Sequence, residues 1–315
     1  MGDSYKTRDH GGGLDAAVAR YGGTREDWLD LSTGVNPDPY PIPKFSSDAW
    51  TALPDQAAFE RLERSARDFW NVPQTAGCVI ANGASSLIAR MPELHPGRAY
   101  IPAPTYNEHA AAFARMGRAE VTNPDAPIKI VVHPNNPDGR IWSRDELAHG
   151  ALIVVDESFC DVSPELSLIN MSDEPNTLVL KSFGKFWGLA GLRLGFAFGD
   201  PTLCAALQES LGPWAVSGPA LELGADALSN KRWAAETRAK LANSADKMDA
   251  LLTKKGASLV GGTSLFRLYD VGDANAWKKR LAQGRVWSRN FPYSKTWLRL
   301  GLPPEDRWSQ LESAL

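Results

Sequence analysis

Thr177-Leu-Val-Leu-Lys-Ser-Phe-Gly-Lys185, continued by Gly191-Leu-Arg-Leu-Gly195, is the stretch on which the reading of this 315-residue chain turns. Thr177 to Leu180 is a short apolar run, sized for one strand, and the residues after it are glycine-rich and aromatic. A lysine in such surroundings is partly desolvated, which lowers its pKa and frees its amine as a nucleophile toward an aldehyde. Ser182, Lys185 and Arg193 are spaced so that a hydroxyl and a guanidinium can hold a phosphate beside that amine. Taken alone, the segment also fits a surface lysine beside a glycine-rich turn.

Working outward, short apolar runs recur at Cys78 to Ala81, Ala99 to Ile101, Ile128 to Val132, Leu152 to Val155 and Leu194 to Phe198. Helical patterns lie between them: Gln56 to Trp70, a helix opened by Asn82-Gly-Ala-Ser85, another from Tyr106 to Met116, and a capping box at Ser143-Arg-Asp-Glu146. Strands separated by helices predict an α/β fold, a mainly parallel sheet with helices on both faces. Ligands of such sheets bind beyond the carboxyl ends of the strands. Asn136, Asp156 and Ser182 to Lys185 all follow apolar strands directly.

After Gly218 the pattern changes: a long charged helical stretch (Ala220 to Lys255), a strand Ser264 to Leu268, a helix Ala274 to Gln283, strands around Val286 and Trp297 to Leu300, and a last helix after Pro303-Pro304. The expected division is an arm, residues 1–45, packing on the small domain and the active site; a large domain, 46–212; and a smaller α+β domain, 213–315, with a hinge near Gly212-Pro213. The arm is rich in Gly, Pro, Asp and Thr and reads as extended.

With 43% hydrophobic and 23% charged residues, the chain can build a sizeable core. Lys plus Arg is 34 against 37 Asp plus Glu, a net charge of −3, which argues against a coat for nucleic acid or an anionic membrane. No apolar run approaches the ~18 residues of a membrane span. Met1 to Lys6 has no apolar signal core, and Lys6 breaks the myristoylation pattern. Three scattered cysteines, Cys78, Cys160 and Cys204, exclude a disulfide framework and a four-cysteine zinc site. No metal is expected, and the simplest address is a reducing cytoplasm.

Ser182-x-x-Lys185, followed eight residues on by Arg193 in Gly-Leu-Arg-Leu-Gly, resembles the pyridoxal-phosphate lysine region of fold type I aminotransferases. The resemblance implies the fold type I transferase architecture, pyridoxal 5'-phosphate as cofactor and Lys185 as the residue that carries it. Asn135-Asn-Pro-Asp-Gly139 resembles the family's Asn-Pro-x-Gly turn and implies that Asn136 bonds the cofactor's ring oxygen, although N-P-D-G is also a common turn. Asp156 resembles the strand-end acid that pairs with the pyridine nitrogen and keeps the ring an electron acceptor. Gly83, Ala84 and Ser85 fall where a helix start would meet the cofactor phosphate, joined by Ser182 and Arg193. Tyr106 matches the aromatic that stacks on the ring.

His10-Gly-Gly-Gly13 and Asp30-Leu-Ser-Thr-Gly-Val-Asn-Pro37 resemble the opening of the L-threonine-O-3-phosphate decarboxylases of cobalamin synthesis. Histidinol-phosphate aminotransferases share the Asn-Pro but generally lack the His-Gly-Gly. The decarboxylase likeness implies that His10 and the N–H groups of Gly11 and Gly12 bind a substrate phosphate, and that Gly34 lies over the substrate. It further implies that Arg299 binds the α-carboxylate, with Asn136 nearby, and that Arg289 is open to a second anionic group. Phe159 stands where aminotransferases usually carry Tyr, and Leu53, before Pro54-Asp55, stands where relatives often carry a tyrosine that crosses the dimer.

Three readings follow. The first is decarboxylation of L-threonine O-3-phosphate to (R)-1-aminopropan-2-yl phosphate. The second is a histidinol-phosphate-like class I/II aminotransferase. The third is a non-catalytic member that keeps the fold and binds a ligand or partner. The expected partner is a small phosphorylated amino acid, without nucleic acid or membrane, and the resemblance implies a homodimer.

Overall fold

The structure is a computed structural model, and it describes residues 8–120, 122–148 and 150–315. The Met1 to Lys6 stretch lies outside the described residues. The strands, in chain order, are β1 (Leu29–Asp30), β2 (Gly77–Ala81), β3 (Ala99–Tyr100), β4 (Ala119–Glu120), β5 (Ile128–Val132), β6 (Leu152–Asp156), β7 (Thr177–Ser182) and β8 (Gly195–Gly199). They continue with β9 (Ser258–Thr263), β10 (Phe266–Asp270), β11 (Val286–Trp287), β12 (Arg289–Phe291) and β13 (Ser294–Gly301).

A seven-stranded sheet has the order β2-β8-β7-β6-β5-β3-β4. Its pairs are parallel from β7 to β4, whereas β8 runs antiparallel to both β7 and β2. Residues alternate between two apolar layers, as a pleated strand requires. Val155, Val179, Phe196 and Phe198 face a core shared with the helices Gln56–Trp70 and Gly218–Ser229. Val154, Leu178, Leu180 and Ala197 face a second core that holds Phe113 and Leu207 from the helices Asn107–Ala114 and Pro201–Leu211. The expected sheet with helices on both faces is therefore present.

The four-stranded sheet β12-β13-β10-β9 is antiparallel. Its buried Phe266, Tyr269, Leu298 and Leu300 join the same apolar cluster as Leu62 and Val155, so the core is continuous across the expected hinge.

Three local readings are corrected. The arm is not simply extended. Leu14–Tyr21 is a helix, and β1 pairs in parallel with β11. Leu14, Ala17, Val18 and Tyr21 have the i, i+3, i+4, i+7 spacing of one helical face and pack against Trp28, Ala282 and Trp287. The strand expected at Ser264 to Leu268 is β10, which starts only at Phe266; Ser264-Leu265 is the turn that joins it to β9, a strand that was not expected. The long charged helix is two, Gly218–Ser229 and Lys231–Lys254. Asn230, whose side chain accepts from the Trp233 N–H, caps the second.

Candidate active site

Sheet direction decides which residues meet. The carboxyl ends of β2, β3, β5, β6 and β7 lie at one edge, and they lead to Ala84 and Ser85, Tyr106, Asn136, Asp156, and Ser182 with Lys185. Because β8 runs the other way, Arg193, two residues before it, reaches the same edge. Gly195 is required there: a Cβ on it would come within 2.4 Å of the Ala84 nitrogen.

One cavity is lined by Ala84, Ser85, Tyr106, Asn136, Asp156, Ser182, Lys185 and Arg193. Gly83 is not in its wall but borders it. Its φ of 90° suits glycine, and a Cβ there would stand 2.6 Å from the Arg193 guanidinium. The helix that follows, Ala84–Ile88, has only five residues. Its macrodipole is correspondingly small, so what it offers an anion is the N–H groups of its first turn, those of Ala84 and Ser85.

Asp156 is 2% exposed. Its Oδ2 accepts from His109 Nε2 at 2.8 Å, and its Oδ1 accepts from the Ser158 N–H at 2.9 Å and the Ser158 hydroxyl at 2.5 Å. Burial pushes this carboxyl up, but the bonds and charge of His109 and Ser158 outweigh it and leave the group below the usual carboxylate range. The result is a buried acid that stays ionised. His109 is a functional residue that sequence reasoning missed. Its signal was its place three residues after Tyr106, on one face of the helix Asn107–Ala114.

Lys185 sits in a tightly fixed segment. Phe183, Phe186 and Trp187 are fully buried around it, and Trp187 stacks between Phe183 and Trp233 with centroids 5.0 and 5.3 Å away. The arm closes the segment: the Asn36 N–H donates to the Lys185 carbonyl at 3.0 Å, and Asn36 Nδ2 donates to the Phe186 carbonyl at 2.9 Å. The Lys185 amine has no hydrogen-bond or ion-pair partner among the described residues, and it lies 5.4 Å from the centre of the Phe159 ring. Burial, then the Arg299 charge, lowers its pKa to about 8 against the opposing pull of Asp156. At pH 7.5 roughly a quarter of such amines are neutral.

A second cavity, of about 200 Å³, opens from Lys185 and Asn136 toward the arm, with His10, Gly11, Gly34, Arg289 and Arg299 in its wall. Arg299 is 4% exposed. Its Nη1 donates to Asn136 Oδ1 and its Nη2 to the Ser32 carbonyl at 2.8 Å, while its Nε is buried without a partner. Burial and the neighbouring Arg289 charge push it down to about 9, which leaves it protonated at neutral pH. This is a buried cation held by neutral groups and lacking an anion, which suits a carboxylate ligand. Gly34 fits only as glycine, since a Cβ would lie 2.8 Å from Phe266 and 3.0 Å from Phe159.

The arm residues differ from expectation in part. His10 Nε2 donates to Glu108 Oε1 at 2.7 Å. Gly12 is outside the cavity wall, and its N–H is already given to Ser32 Oγ at 2.6 Å, so it is committed to holding the arm. Arg289 is in the wall and carries Asp9 on its guanidinium at 2.9 Å. Leu53, at 64% exposure, stands on the surface.

One metal-like grouping, His133, Glu157 and Cys160, is spoken for. His133 accepts from the Trp142 N–H and donates to the Leu166 carbonyl, and Glu157 takes bonds from Ser167, Leu168 and Lys181. No helix among the described residues is long and apolar enough to cross a membrane.

Comparison with known proteins adds identity to this geometry. The sequence-family model "Aminotransferase class I and II" matches residues 26–314. A threonine-phosphate decarboxylase of Sinorhizobium sp is 39% identical over 317 residues, spanning 94% of this chain and 93% of that protein. The threonine-phosphate decarboxylase of Pseudomonas aeruginosa is 37% identical over 326 residues, 98% and 97% of the two chains. A histidinol-phosphate aminotransferase of Chlorobium chlorochromatii is 28% identical over 322 residues, 88% of each. Among solved structures, the histidinol-phosphate aminotransferase of Sinorhizobium meliloti in complex with pyridoxal-5'-phosphate superposes with a TM-score of 0.84 at 19% identity, covering 96% of this chain and 93% of that one. It shares the fold.

Proposed function

Since the chain belongs to the aminotransferase class I and II family, we propose that it is a pyridoxal-phosphate-dependent decarboxylase that converts L-threonine O-3-phosphate to (R)-1-aminopropan-2-yl phosphate. The observation that carries this reading is the likeness, over nearly the whole of both chains, to two threonine-phosphate decarboxylases. Histidinol-phosphate aminotransferases fit less well.

The residues fit the cofactor. One cavity offers a buried ionised acid, two free N–H groups, a guanidinium, serine hydroxyls and an unpartnered amine. Asp156 would face the ring nitrogen, Asn136 Nδ2 the ring oxygen and Tyr106 the ring face, with Ala84, Ser85, Ser182 and Arg193 on the phosphate. Bound there, pyridoxal phosphate supplies an electron sink conjugated to the substrate's α carbon.

The chain's own residues do the rest. Lys185 Nζ, whose lowered pKa keeps a neutral fraction near pH 7.5, accepts and returns protons beside the substrate, and it delivers one to the α carbon once carbon dioxide has left. Arg299, fixed by Asn136 and the Ser32 carbonyl, holds the substrate carboxylate and so sets which bond of the α carbon is weakened. Asp156 remains ionised because His109 and Ser158 hold it so. Arg289, His10 and the N–H of Gly11 take the phosphate at the far wall. Two or three charge-assisted bonds of ~1.5–3 kcal/mol each would favour phosphothreonine over threonine by ~10²–10⁶-fold.

We take the working form to be a homodimer in the cytoplasm. Ile42, Trp50, Leu53 and Trp214 are 55–69% exposed, and Ile42 and Trp50 line an apolar groove with Phe45 and Leu223, which a second copy of the chain would cover. The three cysteines are free, as a reducing compartment keeps them.

The test offers O-phospho-L-threonine to the holoenzyme. Carbon dioxide should appear in step with (R)-1-aminopropan-2-yl phosphate. Glutamate formed from histidinol phosphate and 2-oxoglutarate, with no carbon dioxide from phosphothreonine, contradicts the reading.

A further inference from the structure

The arm brings an acid to the substrate cavity at the place where the proposed ligand carries an anion of its own. Asp9 Oδ2 lies 2.9 Å from Arg289 Nη2, and Oδ1 lies 3.4 Å from Nη1. The Asp9 carbonyl accepts from Arg289 Nη2 at 3.0 Å and from Asn107 Nδ2 at 2.8 Å. The backbone of Asp9 therefore has an anchor, Asn107, that does not depend on its carboxylate. The Asp9 side chain is 43% exposed and that of Arg289 only 11%, so the more accessible anion caps the more buried cation. Arg289 also lies near Arg299, so a counter-charge on it relieves the repulsion between the two guanidinium groups.

The chemistry of the reaction gives this contact a purpose. The phosphate passes unchanged from substrate to product. Contacts to it strengthen the binding of both, which does not raise the rate of the bond-breaking step and slows product departure. A carboxylate already seated on the same guanidinium competes with the phosphate and keeps the subsite exchangeable.

We propose that Asp9 is an exchange anion for the phosphate subsite: its carboxylate holds Arg289 in the free enzyme, yields it to the phosphate of the incoming ligand, and takes it back as the product leaves. The inference rests on the proposed function only in requiring a phosphorylated ligand. The opposing view is that Asp9 stays on Arg289 throughout and orients it.

Titration calorimetry on the holoenzyme separates the two, with inorganic phosphate, O-phospho-L-threonine and L-threonine as probes. Asp9→Asn should bind inorganic phosphate and O-phospho-L-threonine about three- to tenfold more tightly, the size expected when a partly exposed competing charge is removed, and should bind L-threonine as the unaltered enzyme does. Product inhibition by (R)-1-aminopropan-2-yl phosphate should strengthen by the same factor. In an Arg289→Gln background the Asp9→Asn change should have no effect on phosphate binding. Weaker or unchanged phosphate binding in Asp9→Asn overturns the proposal, as does full phosphate affinity in Arg289→Gln. Tighter phosphate binding in Asp9→Asn without decarboxylation of phosphothreonine upholds the exchange anion and rejects only the assigned substrate.

Discussion

Lys181 and Lys185 are four residues apart, the first buried and the second half-buried in the cavity wall, and they have opposite fates. Lys181 lies in β7 at 2% exposure, 2.5 Å from Glu157 and 3.7 Å from Asp161. Burial alone would push its pKa down, but the two carboxylates reverse this and raise it well above the ordinary lysine value. Lys185 also meets a burial penalty, but with no carboxylate in contact and a nearby arginine, and its pKa falls to about 8. The acids are themselves neighbours in sequence. Asp156 and Glu157 follow one another at the end of β6 and point to opposite sides, the first to the cavity and the second to Lys181. Burial is common to both lysines, and the side on which each acid falls decides which amine is locked and which is left reactive.

The largest expected break is in catalysis. Lys185→Met should lower turnover by ~10³-fold or more, since general acid–base groups contribute ~10²–10⁴-fold and this one is also the proposed attachment point of the cofactor. Steady-state decarboxylation measures it. Lys181→Met should act on stability instead, costing about 3–5 kcal/mol in denaturant unfolding because Glu157 and Asp161 lose their buried counter-charge. The folded fraction should largely keep its turnover.

A third change sharpens the contrast by reversing its sign. The Lys185 amine falls from 10.5 to about 8 on folding, so above pH 8 the unfolded chain binds the extra proton. The cost of holding the charge is full below pH 8 and fades as pH rises toward ~10.5, because stability rises wherever the unfolded state binds more protons. Cofactor-free Lys185→Met should therefore be more stable than the unaltered apoenzyme at pH 7, by on the order of 3 kcal/mol, with the gap closing above pH 8. The smallest effect is expected at His109. His109→Asn removes one bond to a buried carboxylate, worth ~1–3 kcal/mol, and should move the acid limb of the pH–rate profile to higher pH as burial raises Asp156.

Much of this was legible in the chain. The helices Gln56–Trp70 and Ala274–Gln283 and the strands β5 to β7 follow from local apolar patterns, and the site residues stand directly after such strands. What escaped was non-local or carried by the backbone. β1 has two residues, and its partner Val286-Trp287 lies more than two hundred residues away, so no local pattern marks it. β9 was hidden by Gly261-Gly262, residues poor in strand propensity, which are needed because a Cβ at Gly261 would stand 2.1 Å from the Asp138 carbonyl oxygen. The helix Leu14–Tyr21 was masked by the glycines on either side of it, and His109 by the absence of any motif that ties a helical histidine to a distant strand end.

The most direct measurement is borohydride reduction of the holoenzyme followed by peptide mapping. The account requires the pyridoxyl label on the peptide that carries Lys185, at that residue. Label on Lys181, or on any other lysine, contradicts it.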